Sequence, residues 1–222
     1  MTVSDENRHS LGSRVYHRLE DAILSGTYPI GASLTELGLC SDLGVSRTPV
    51  RDALARLEQE GLVRLIPNKG AVVLGIGSSD LVDIYRMRMR LEGLAASMAA
   101  DTRTAKDLET LRDIVELSEF YVARGDAHRL RDLDSDFHEA VYLAGGSRML
   151  SSTLSALHRK IGAYRALSLT DPGRVPDSVR EHREIFDAIE RKDASAADCL
   201  AARHVESALN NLLRLLPPRK TS

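Results

Sequence analysis

The stretch Ser46–Gly61, SRTPVRDALARLEQEG, has the pattern of an amphipathic helix that is basic on its exposed side. Its apolar residues recur at spacings of three and four, which places them on one helix face toward a small core. They are Val50, Ala53, Leu54 and Leu57. Arg47 and Arg51 lie off that face, four residues apart, so their guanidinium groups share one side near the helix start. Because such groups can meet guanine edges or phosphates, the stretch predicts a helix that enters the major groove of DNA.

The residues before this helix complete a helix-turn-helix pattern. Ser46 is the expected N-cap, with a hydroxyl that accepts a free backbone N–H. Pro49 is tolerated in the first turn because a backbone N–H there has no intrahelical partner. Thr35–Leu43 is predicted to form a short helix, and Gly44-Val45 a tight turn. The two helices and the turn between them predict a DNA-binding helix-turn-helix.

A hairpin is predicted directly after the second helix. Leu62–Leu65 and Ala71–Leu74 are short strand candidates, and Pro67–Gly70 carries the turn residues between them. Lys69 makes the tip of this hairpin basic, so the hairpin has the character of a wing. An amphipathic helix at Leu11–Leu24 is expected to pack behind the helix-turn-helix.

From Val15 to Val73 the sequence resembles the GntR family of bacterial transcriptional regulators. The motifs that carry the resemblance are Leu34-Thr35-Glu36, Leu43–Arg51, Glu60-Gly61-Leu62-Val63 and Asn68-Lys69-Gly70. The resemblance implies a winged helix in which a defined set of residues touches DNA. That set corresponds to Ser46, Arg47, Thr48, Arg51, Lys69 and Gly70. Leu37 departs from the family pattern, in which many relatives carry a polar or basic residue able to contact phosphate.

Composition and charge fit a globular, mainly helical protein that contacts DNA locally. The 222 residues suggest two domains, and 43% hydrophobic residues with only 4% aromatics fit helices packed through aliphatic side chains. The formal net charge of −2 argues against a generally basic coat for nucleic acid. Only the window from 46 to 70 is biased toward positive charge, which favours sequence-selective binding by a few placed contacts.

The cysteines and the N-terminal residues indicate a cytoplasmic protein. Cys40 and Cys199 are the only cysteines and lie far apart, so neither a disulfide framework nor a zinc knuckle is indicated. The first ten residues, MTVSDENRHS, are polar and lack an apolar signal region. No apolar run approaches the roughly 18 residues of a membrane span, so no membrane partner is expected.

The chain is predicted to be mainly α, with a loose tail at 1–10, a winged helix at 11–75, a linker at 76–79 and an all-α bundle at 80–218. Glycine and serine residues from Gly75 to Ser79 mark the linker, because the strand period there gives way to a helical one. The six predicted helices of the bundle are Asp80–Asp101, Thr104–Gly125, Asp126–Gly145, Ser147–Leu167, Asp177–Glu190 and Asp193–Leu216.

Four side chains able to bind a metal are predicted on inward faces of this bundle: Asp134, His138, His182 and His204. Asp134 and His138 lie at i and i+4 along the apolar stripe of one helix. His182 and His204 follow the apolar spacing of two other helices. Burial of these groups without partners would be costly, whereas one divalent cation would satisfy all four. A hydrogen-bonded polar core is the alternative that the spacing alone leaves open.

The same residues resemble the metal motifs of the FCD effector domain, which defines the FadR-like branch of GntR regulators. The motifs are Asp134–His138, Glu181–Ile185 and Arg203-His204. The resemblance implies that one Asp and three His bind a divalent transition metal such as zinc, nickel or manganese. Asp136 is a nearby carboxylate, but two residues from His138 it faces another way on a helix. Ser147 stands where relatives often have Asn, and either residue can cap a helix.

A small organic acid is the expected effector. Three His and one carboxylate leave about two open positions on a six-coordinate ion, and a carboxylate of the effector could fill them. The family resemblance implies such acids. Arg88, within Tyr85–Arg90, matches a position that is often Arg in relatives and is predicted to face the acid. Arg86, Arg88 and Arg90 alternate along one helix and cannot share a face, so at least one is an ordinary surface residue.

The sequence therefore predicts a homodimeric, ligand-responsive transcriptional regulator. Its winged helix would bind a palindromic double-stranded operator, and its bundle would dimerise and bind metal and acid. A metalloenzyme that uses the Asp and three His to activate water is the main alternative, although no catalytic residue is evident. A purely structural metal without any effector is the second alternative.

Overall fold

The computed structural model describes residues 3–67 and 69–216. The chain divides between Ser78 and Ser79 into two compact units, and each is described by itself. Within the described residues, the helices of the first unit are α1 (Val3–Leu24), α2 (Glu36–Leu43) and α3 (Arg47–Gln59), and its strands are β1 (Ser33–Leu34), β2 (Val63–Ile66) and β3 (Gly70–Val73). The strands form an antiparallel sheet in the order β1-β3-β2.

The core of the first unit is the one that the helical spacing predicts. The apolar residues of α3, Val50, Ala53, Leu54 and Leu57, are each at most 2% exposed. Val15, Leu19 and Ile23 of α1 are buried as well. The two helices therefore pack through their apolar stripes, which leaves the opposite face of α3 exposed.

Three boundaries in this unit differ from the expectation. Helix α1 begins at Val3, inside the stretch 1–10 expected to be a loose tail. That stretch contains no Gly or Pro to end a helix, and Gly12 alone does not interrupt one. The wing strands are shifted by one residue, because β2 begins at Val63 and β3 begins at Gly70. Strand β1 was not predicted, since its two residues are too few to show alternation.

The second unit is all-α in its described residues, as the sequence predicted. Its helices are α4 (Ser78–Thr102), α5 (Ala105–Arg124), α6 (Ala127–Ala144), α7 (Arg148–Lys160), α8 (Gly162–Ser168), α9 (Arg174–Glu190) and α10 (Ala194–Leu215). Their starts follow capping residues: Thr104, Asp126, Ser147 and Asp193 each accept a hydrogen bond from a backbone N–H in the first turn. Helix α4 begins within the predicted linker.

Two helices of the bundle differ from their predicted limits. The predicted fourth helix is interrupted at the buried Ile161, which separates α7 from α8. Gly162 follows directly and has a low helix propensity, which favours an interruption at this point. Helix α9 begins at Arg174 rather than Asp177, because Pro176 falls in its first turn, where proline is tolerated.

The bundle core is built from alanine and larger apolar residues on facing helices. Ala96, Ala99 and Ala100 of α4 pack with Phe137 of α6 and with Ile185 and other residues of α9. The small alanine side chains allow a close approach of the helices around the larger rings. None of the described helices combines the length and the apolar content that crossing a membrane requires.

Candidate metal centre and DNA-binding surface

The turn between α2 and α3 sets the start of the predicted recognition helix. Gly44 ends α2 in the left-handed region at φ +65°, where the absence of a side chain avoids strain. Ser46 is the N-cap of α3, as predicted, but its hydroxyl accepts no hydrogen bond from the helix. The prediction of a side-chain cap was therefore wrong. Ser46, Arg47 and Thr48 are all exposed, so their polar groups are accessible at the helix start.

Arg51 is also exposed and is held by an ion pair within the helix-turn-helix. Its Nε donates to Glu36 Oε2 of α2 at 2.8 Å, and the Arg51 side chain is 62% exposed. A surface pair of this kind contributes at most about 1 kcal/mol, so it orients the guanidinium without locking it. The exposed face of α3 thus presents Arg47 and Arg51 together, as the sequence predicts.

The wing depends on a glycine that begins its second strand, directly after the turn. Gly70 has φ +98°, and a Cβ there would lie 2.1 Å from the backbone oxygen of Leu34. Only glycine lets β3 approach β1 so closely, so the structural role of Gly70 is in sheet pairing. Lys69 is exposed beside it, and Asn68 lies outside the described residues.

Three imidazole nitrogens converge in the interior of the bundle. His204 Nε2 lies 3.3 Å from His182 Nε2 and 3.3 Å from His138 Nε2. Ligand atoms of all three residues lie within 4.8 Å of one another. All three side chains are buried, and the His182 ring stacks on Phe137 with ring centres 4.1 Å apart. The cluster joins three helices, because His138 lies on α6, His182 on α9 and His204 on α10.

The outer nitrogens of two of these rings face carboxylates. His138 Nδ1 lies 2.9 Å from Glu92 Oε2, and His204 Nδ1 lies 2.7 Å from Glu181 Oε2. An ionised carboxylate only accepts, so each Nδ1 must carry the proton. In a neutral imidazole the Nε2 atom then has a free lone pair. Carboxylates therefore orient both rings so that their metal-binding nitrogens point at one another.

Asp134 completes the predicted set beside His182. Its Oδ1 lies 3.8 Å from His182 Nε2, and its Oδ2 forms an ion pair with Arg165 of α8. The structure thus brings all four predicted metal residues together, with Asp134 shared between the cluster and an arginine. Asp136 is exposed and takes no part in the cluster, as its spacing predicts.

The imidazoles of His138 and His204 are each backed by a carboxylate at Nδ1, and each of these carboxylates pairs with an arginine. Glu92 accepts from Arg88 Nε at 2.6 Å, and Glu181 pairs with Arg174 at 2.8 Å. A third pair, Arg165 and Asp134, lies near the inward Nε2 of His182. The three arginines and three carboxylates cancel formally, so the cluster with neutral imidazoles carries no net charge.

The pKa values support ionised carboxylates and neutral imidazoles. Burial by itself would raise the pKa of Asp134 and Glu92, but Arg165 and Arg88 lower these values below the ordinary range. Burial lowers the pKa of His182 well below its ordinary value and also lowers that of His204. Neutral imidazoles beside an ionised carboxylate are the protonation states that bind a transition metal.

A cleft opens onto the cluster and includes Arg88. It has about 300 Å³ of unfilled volume including its open mouth, and it is lined by both predicted metal residues of α6 and by Arg88, Arg165 and Arg174. Arg88 is 2% exposed, and its NH1 has no hydrogen-bond partner among the described residues. Arg86 and Arg90 are exposed, so only Arg88 of the three alternating arginines faces inward.

Sequence reasoning missed most of the groups around the four predicted residues. Glu92 could have been found from its i, i+4 spacing to Arg88, and Glu181 from its place beside His182. Arg174 falls before the predicted start of the fifth helix at Asp177, and Arg165 falls within the predicted helix Ser147–Leu167. No local pattern marks Arg165, because its partner Asp134 lies on another helix, whereas Arg174 lies two turns before Glu181 on α9.

The comparisons with known proteins divide the chain in the same way. Residues 11–73 match the family described as bacterial regulatory proteins, gntR family, and residues 83–207 match the FCD domain. The FCD match alone spans more than half of the chain. Both resemblances inferred from the sequence motifs are confirmed.

Individual relatives cover nearly the whole chain. An uncharacterized HTH-type transcriptional regulator, YdhC of Bacillus subtilis, is 30% identical over 202 residues, which cover 86% of this chain and 90% of that protein. The HTH-type transcriptional regulator McbR of Escherichia coli is 27% identical over 198 residues, with coverage of 86% and 88%. The solved structure of E. coli McbR/YncC matches with a TM-score of 0.73 at 24% identity, covering 92% of this chain and 97% of that one.

That structural match supports the same fold of winged helix and helical bundle. The predicted fold class is confirmed by it together with the family matches. The chain belongs to the GntR family of bacterial regulatory proteins that carry an FCD domain, and it is a DNA-binding transcriptional regulator rather than an enzyme.

Proposed function

We propose that this regulator acts in the cytoplasm as a homodimer whose operator binding is controlled by a small carboxylate effector held at a metal ion. Residues 11–75 would form the DNA-binding domain, and residues 80–218 the domain for metal, effector and dimerisation. The observation that carries the proposal is the convergence of three imidazole Nε2 atoms, with the Nδ1 atoms of His138 and His204 facing carboxylates.

The donor set fits a divalent transition metal. Three lone pairs directed at one another repel unless a cation lies between them. Two ligands of a tetrahedral zinc ion, each about 2.0–2.1 Å from the metal, lie about 3.3 Å apart. His204 Nε2 has this separation from both His138 Nε2 and His182 Nε2. These residues and Asp134 would hold the ion, which would supply a Lewis-acid contact for the effector.

The charges around the cluster favour an anionic effector. The three arginine and carboxylate pairs cancel, so a divalent ion would leave two uncompensated positive charges in a buried site. A small organic acid would neutralise them. Arg88 lines the same cleft, and its buried NH1, which has no hydrogen-bond partner among the described residues, would donate to an oxygen of the acid.

The DNA contacts would come from the exposed helix start and the wing. Ser46, Arg47, Thr48 and Arg51 are exposed on α3, and Lys69 is exposed at the hairpin. Arg47 and Arg51 would read base edges, whereas Lys69 would contact the sugar-phosphate backbone or minor groove. Gly70 would contribute through its backbone, since its conformation sets the path of the wing.

A two-fold dimer would bind a palindromic operator, because a single small winged helix offers too few base contacts for high affinity. The effector would act only through different affinities for two arrangements of the DNA-binding domains. Metal-dependent stability without any effect of acids on DNA binding would instead indicate a structural ion.

The test compares His204→Ala with His128→Ala. His128 lies on α6 with a 77% exposed side chain and takes no part in the cluster, so it is a matched control. Elemental analysis and operator binding, with and without a panel of small carboxylic acids, would be measured on both variants. We expect His204→Ala to lose the metal and the acid response and to keep operator binding, while His128→Ala matches the parent. Equal metal content in the two variants would contradict the proposal.

A further inference from the structure

The two exposed arginines at the start of α3 differ in their contacts. Arg51 Nε donates to Glu36 Oε2 of α2 at 2.8 Å, and no other hydrogen bond joins the Arg51 side chain to a described residue. The Arg47 side chain forms neither a hydrogen bond nor an ion pair within the part of the chain that the structure describes. Only Arg51 therefore has a preferred direction before it meets DNA, and Glu36 sets that direction.

Glu36 is placed by the residues directly before it. Thr35 is the N-cap of α2, and its side chain accepts from a backbone N–H of the first turn at 3.1 Å. Leu34 pairs with Ala71 where β1 meets β3. The Glu36 side chain is 29% exposed, against 62% for Arg51, so the carboxylate is the more enclosed partner. A carboxylate anchored by a capped helix and a paired strand can orient a long, exposed side chain.

The ion pair uses one of the five N–H groups of the Arg51 guanidinium. Its Nε–H is directed at Glu36, and the four N–H groups of the two terminal nitrogens have no partner among the described residues. A guanidinium held in this way presents its terminal nitrogens end-on. In the major groove guanine offers two neighbouring acceptors, O6 and N7, whereas adenine offers one acceptor beside a donor. The free donors of Arg51 therefore match guanine better than any other base.

The charge of Glu36 disfavours a phosphate contact by the same guanidinium. The carboxylate and the guanidinium cancel formally, so the pair has no net attraction for a phosphate. A phosphate oxygen at Arg51 would also lie near the carboxylate and be repelled by it, whereas a base edge is uncharged. Phosphate contacts add affinity without sequence information, and base contacts supply the discrimination. Glu36 thus favours the contact that discriminates between sequences.

We propose that Glu36 is the positioning residue that directs Arg51 to a guanine of the operator. The carboxylate holds the guanidinium end-on toward the base and keeps phosphate away from it, which makes Arg51 the main discriminating residue of α3. Arg47, which lacks such a partner, contacts DNA with less discrimination. The inference rests on the proposed placement of α3 in the major groove. It adds a residue of α2 that is outside the set expected to touch DNA.

The experiment is a selection of bound sequences from a random duplex library by the full-length protein, followed by sequencing. The position read by Arg51 is the one at which Arg51→Ala loses base preference. We expect guanine at that position in the parent, preferred by about 5- to 150-fold, which is the range for one bidentate contact. Glu36→Ala should lower that preference about threefold or more and leave the other positions unchanged, since an exposed ion pair has an effect of about this size.

Two further variants separate orientation from charge. Asp42→Ala removes the same charge from an exposed position of α2 that has no ion-pair partner among the described residues, so it should keep the parent's preference at every position. Glu36→Gln keeps an oxygen that can accept from Arg51 Nε and should retain more of the guanine preference than Glu36→Ala. Without the carboxylate charge, Glu36→Gln should bind unselected DNA more tightly, with a salt slope steeper by about one. Fluorescence anisotropy at several salt concentrations measures this slope.

The results that overturn this inference differ from those that overturn the proposed function. A guanine preference lost in Arg51→Ala but intact in Glu36→Ala would leave α3 in the groove and remove the role of Glu36. Equal changes in Glu36→Ala and Asp42→Ala would reduce the effect to charge, and a base other than guanine at the Arg51 position would also contradict the inference. Selection of the parent's sequence by Arg51→Ala would overturn both the placement of α3 and the role of Glu36.

Discussion

The exposed face of the winged helix and the buried centre of the bundle use charged residues in opposite ways. On α3, Arg51 has one carboxylate partner, Glu36, and remains 62% exposed. In the bundle, Arg88 and Glu92 are both almost fully buried, and Glu92 also holds a histidine. A surface arginine stays available for an external partner, whereas a buried arginine fixes the geometry of its neighbours. The comparison separates residues that contact a partner from residues that build a site.

The largest expected difference is in the stability effect of the two ion pairs. Glu92→Ala leaves Arg88 buried without its carboxylate and should destabilise the bundle by about 3–5 kcal/mol. Glu36→Ala removes an exposed partner and should cost less than about 1 kcal/mol. Urea unfolding followed by circular dichroism, with the two units fitted separately, would measure both. Similar losses in the two variants would remove the distinction between the regions.

The carboxylates behind the imidazoles should matter for metal affinity. Glu181→Gln keeps the size of the side chain but weakens its hold on the Nδ1 proton of His204, so zinc should bind about 10–100-fold more weakly. Glu184 lies on the same helix and pairs with the exposed Arg203, so Glu184→Gln is the control. Competition titration with a coloured zinc chelator gives both affinities. If the two variants bind zinc equally, Glu181 has no role in orienting the ring.

Substitutions on the exposed face of the winged helix should change DNA binding and have little effect on the free energy of unfolding. Arg51→Ala should cost about 1–3 kcal/mol of operator binding and relax sequence preference, because Arg51 is expected to read a base edge. Lys69→Ala should weaken all sequences alike and lower the salt slope by about one. Fluorescence anisotropy on operator and scrambled DNA at several salt concentrations distinguishes the two. Arg51→Ala with unchanged operator affinity would show that α3 does not lie in the groove as proposed.

The smallest effect concerns pH. Because burial lowers the pKa of His182 and His204, both stay neutral as the pH falls through the ordinary histidine value of about 6.5. Zinc affinity should therefore change little from about pH 7.5 to about pH 6 and fall only at lower pH, when protons compete for the nitrogens. Two unshifted histidines would lose about tenfold or more over that range. Zinc titrations at both pH values decide between these outcomes.

The same contrast explains what the sequence could predict. The apolar stripe of α3 and the four metal residues follow helical spacing, so the fold and the cluster could be predicted from single helices. Arg165 of α8 pairs with Asp134 of α6, and this contact depends on packing between helices, which spacing along the chain does not encode. Arg174 and Glu181 pair within α9, seven residues apart, but the predicted helix begins at Asp177 and so leaves Arg174 out.

The hydroxyl of Ser46 is a smaller example of a contact that the sequence did not predict correctly. The residue type and position predicted a capping hydrogen bond, and the structure has the N-cap without that bond. A residue can occupy the N-cap position by its backbone geometry alone, without a side-chain hydrogen bond. The preference for serine therefore predicts where the helix starts better than it predicts the capping hydrogen bond. The exposed hydroxyl is instead available for the proposed DNA contact.

X-ray absorption spectroscopy at the zinc edge of the zinc-loaded protein tests the central claim most directly. We predict three imidazole nitrogens at about 2.0–2.1 Å with additional oxygen ligands, and the loss of imidazole scattering in His204→Ala but not in His128→Ala. A spectrum with no imidazole ligands, or one unchanged by His204→Ala, would contradict the assignment of His138, His182 and His204 as the metal centre of this regulator.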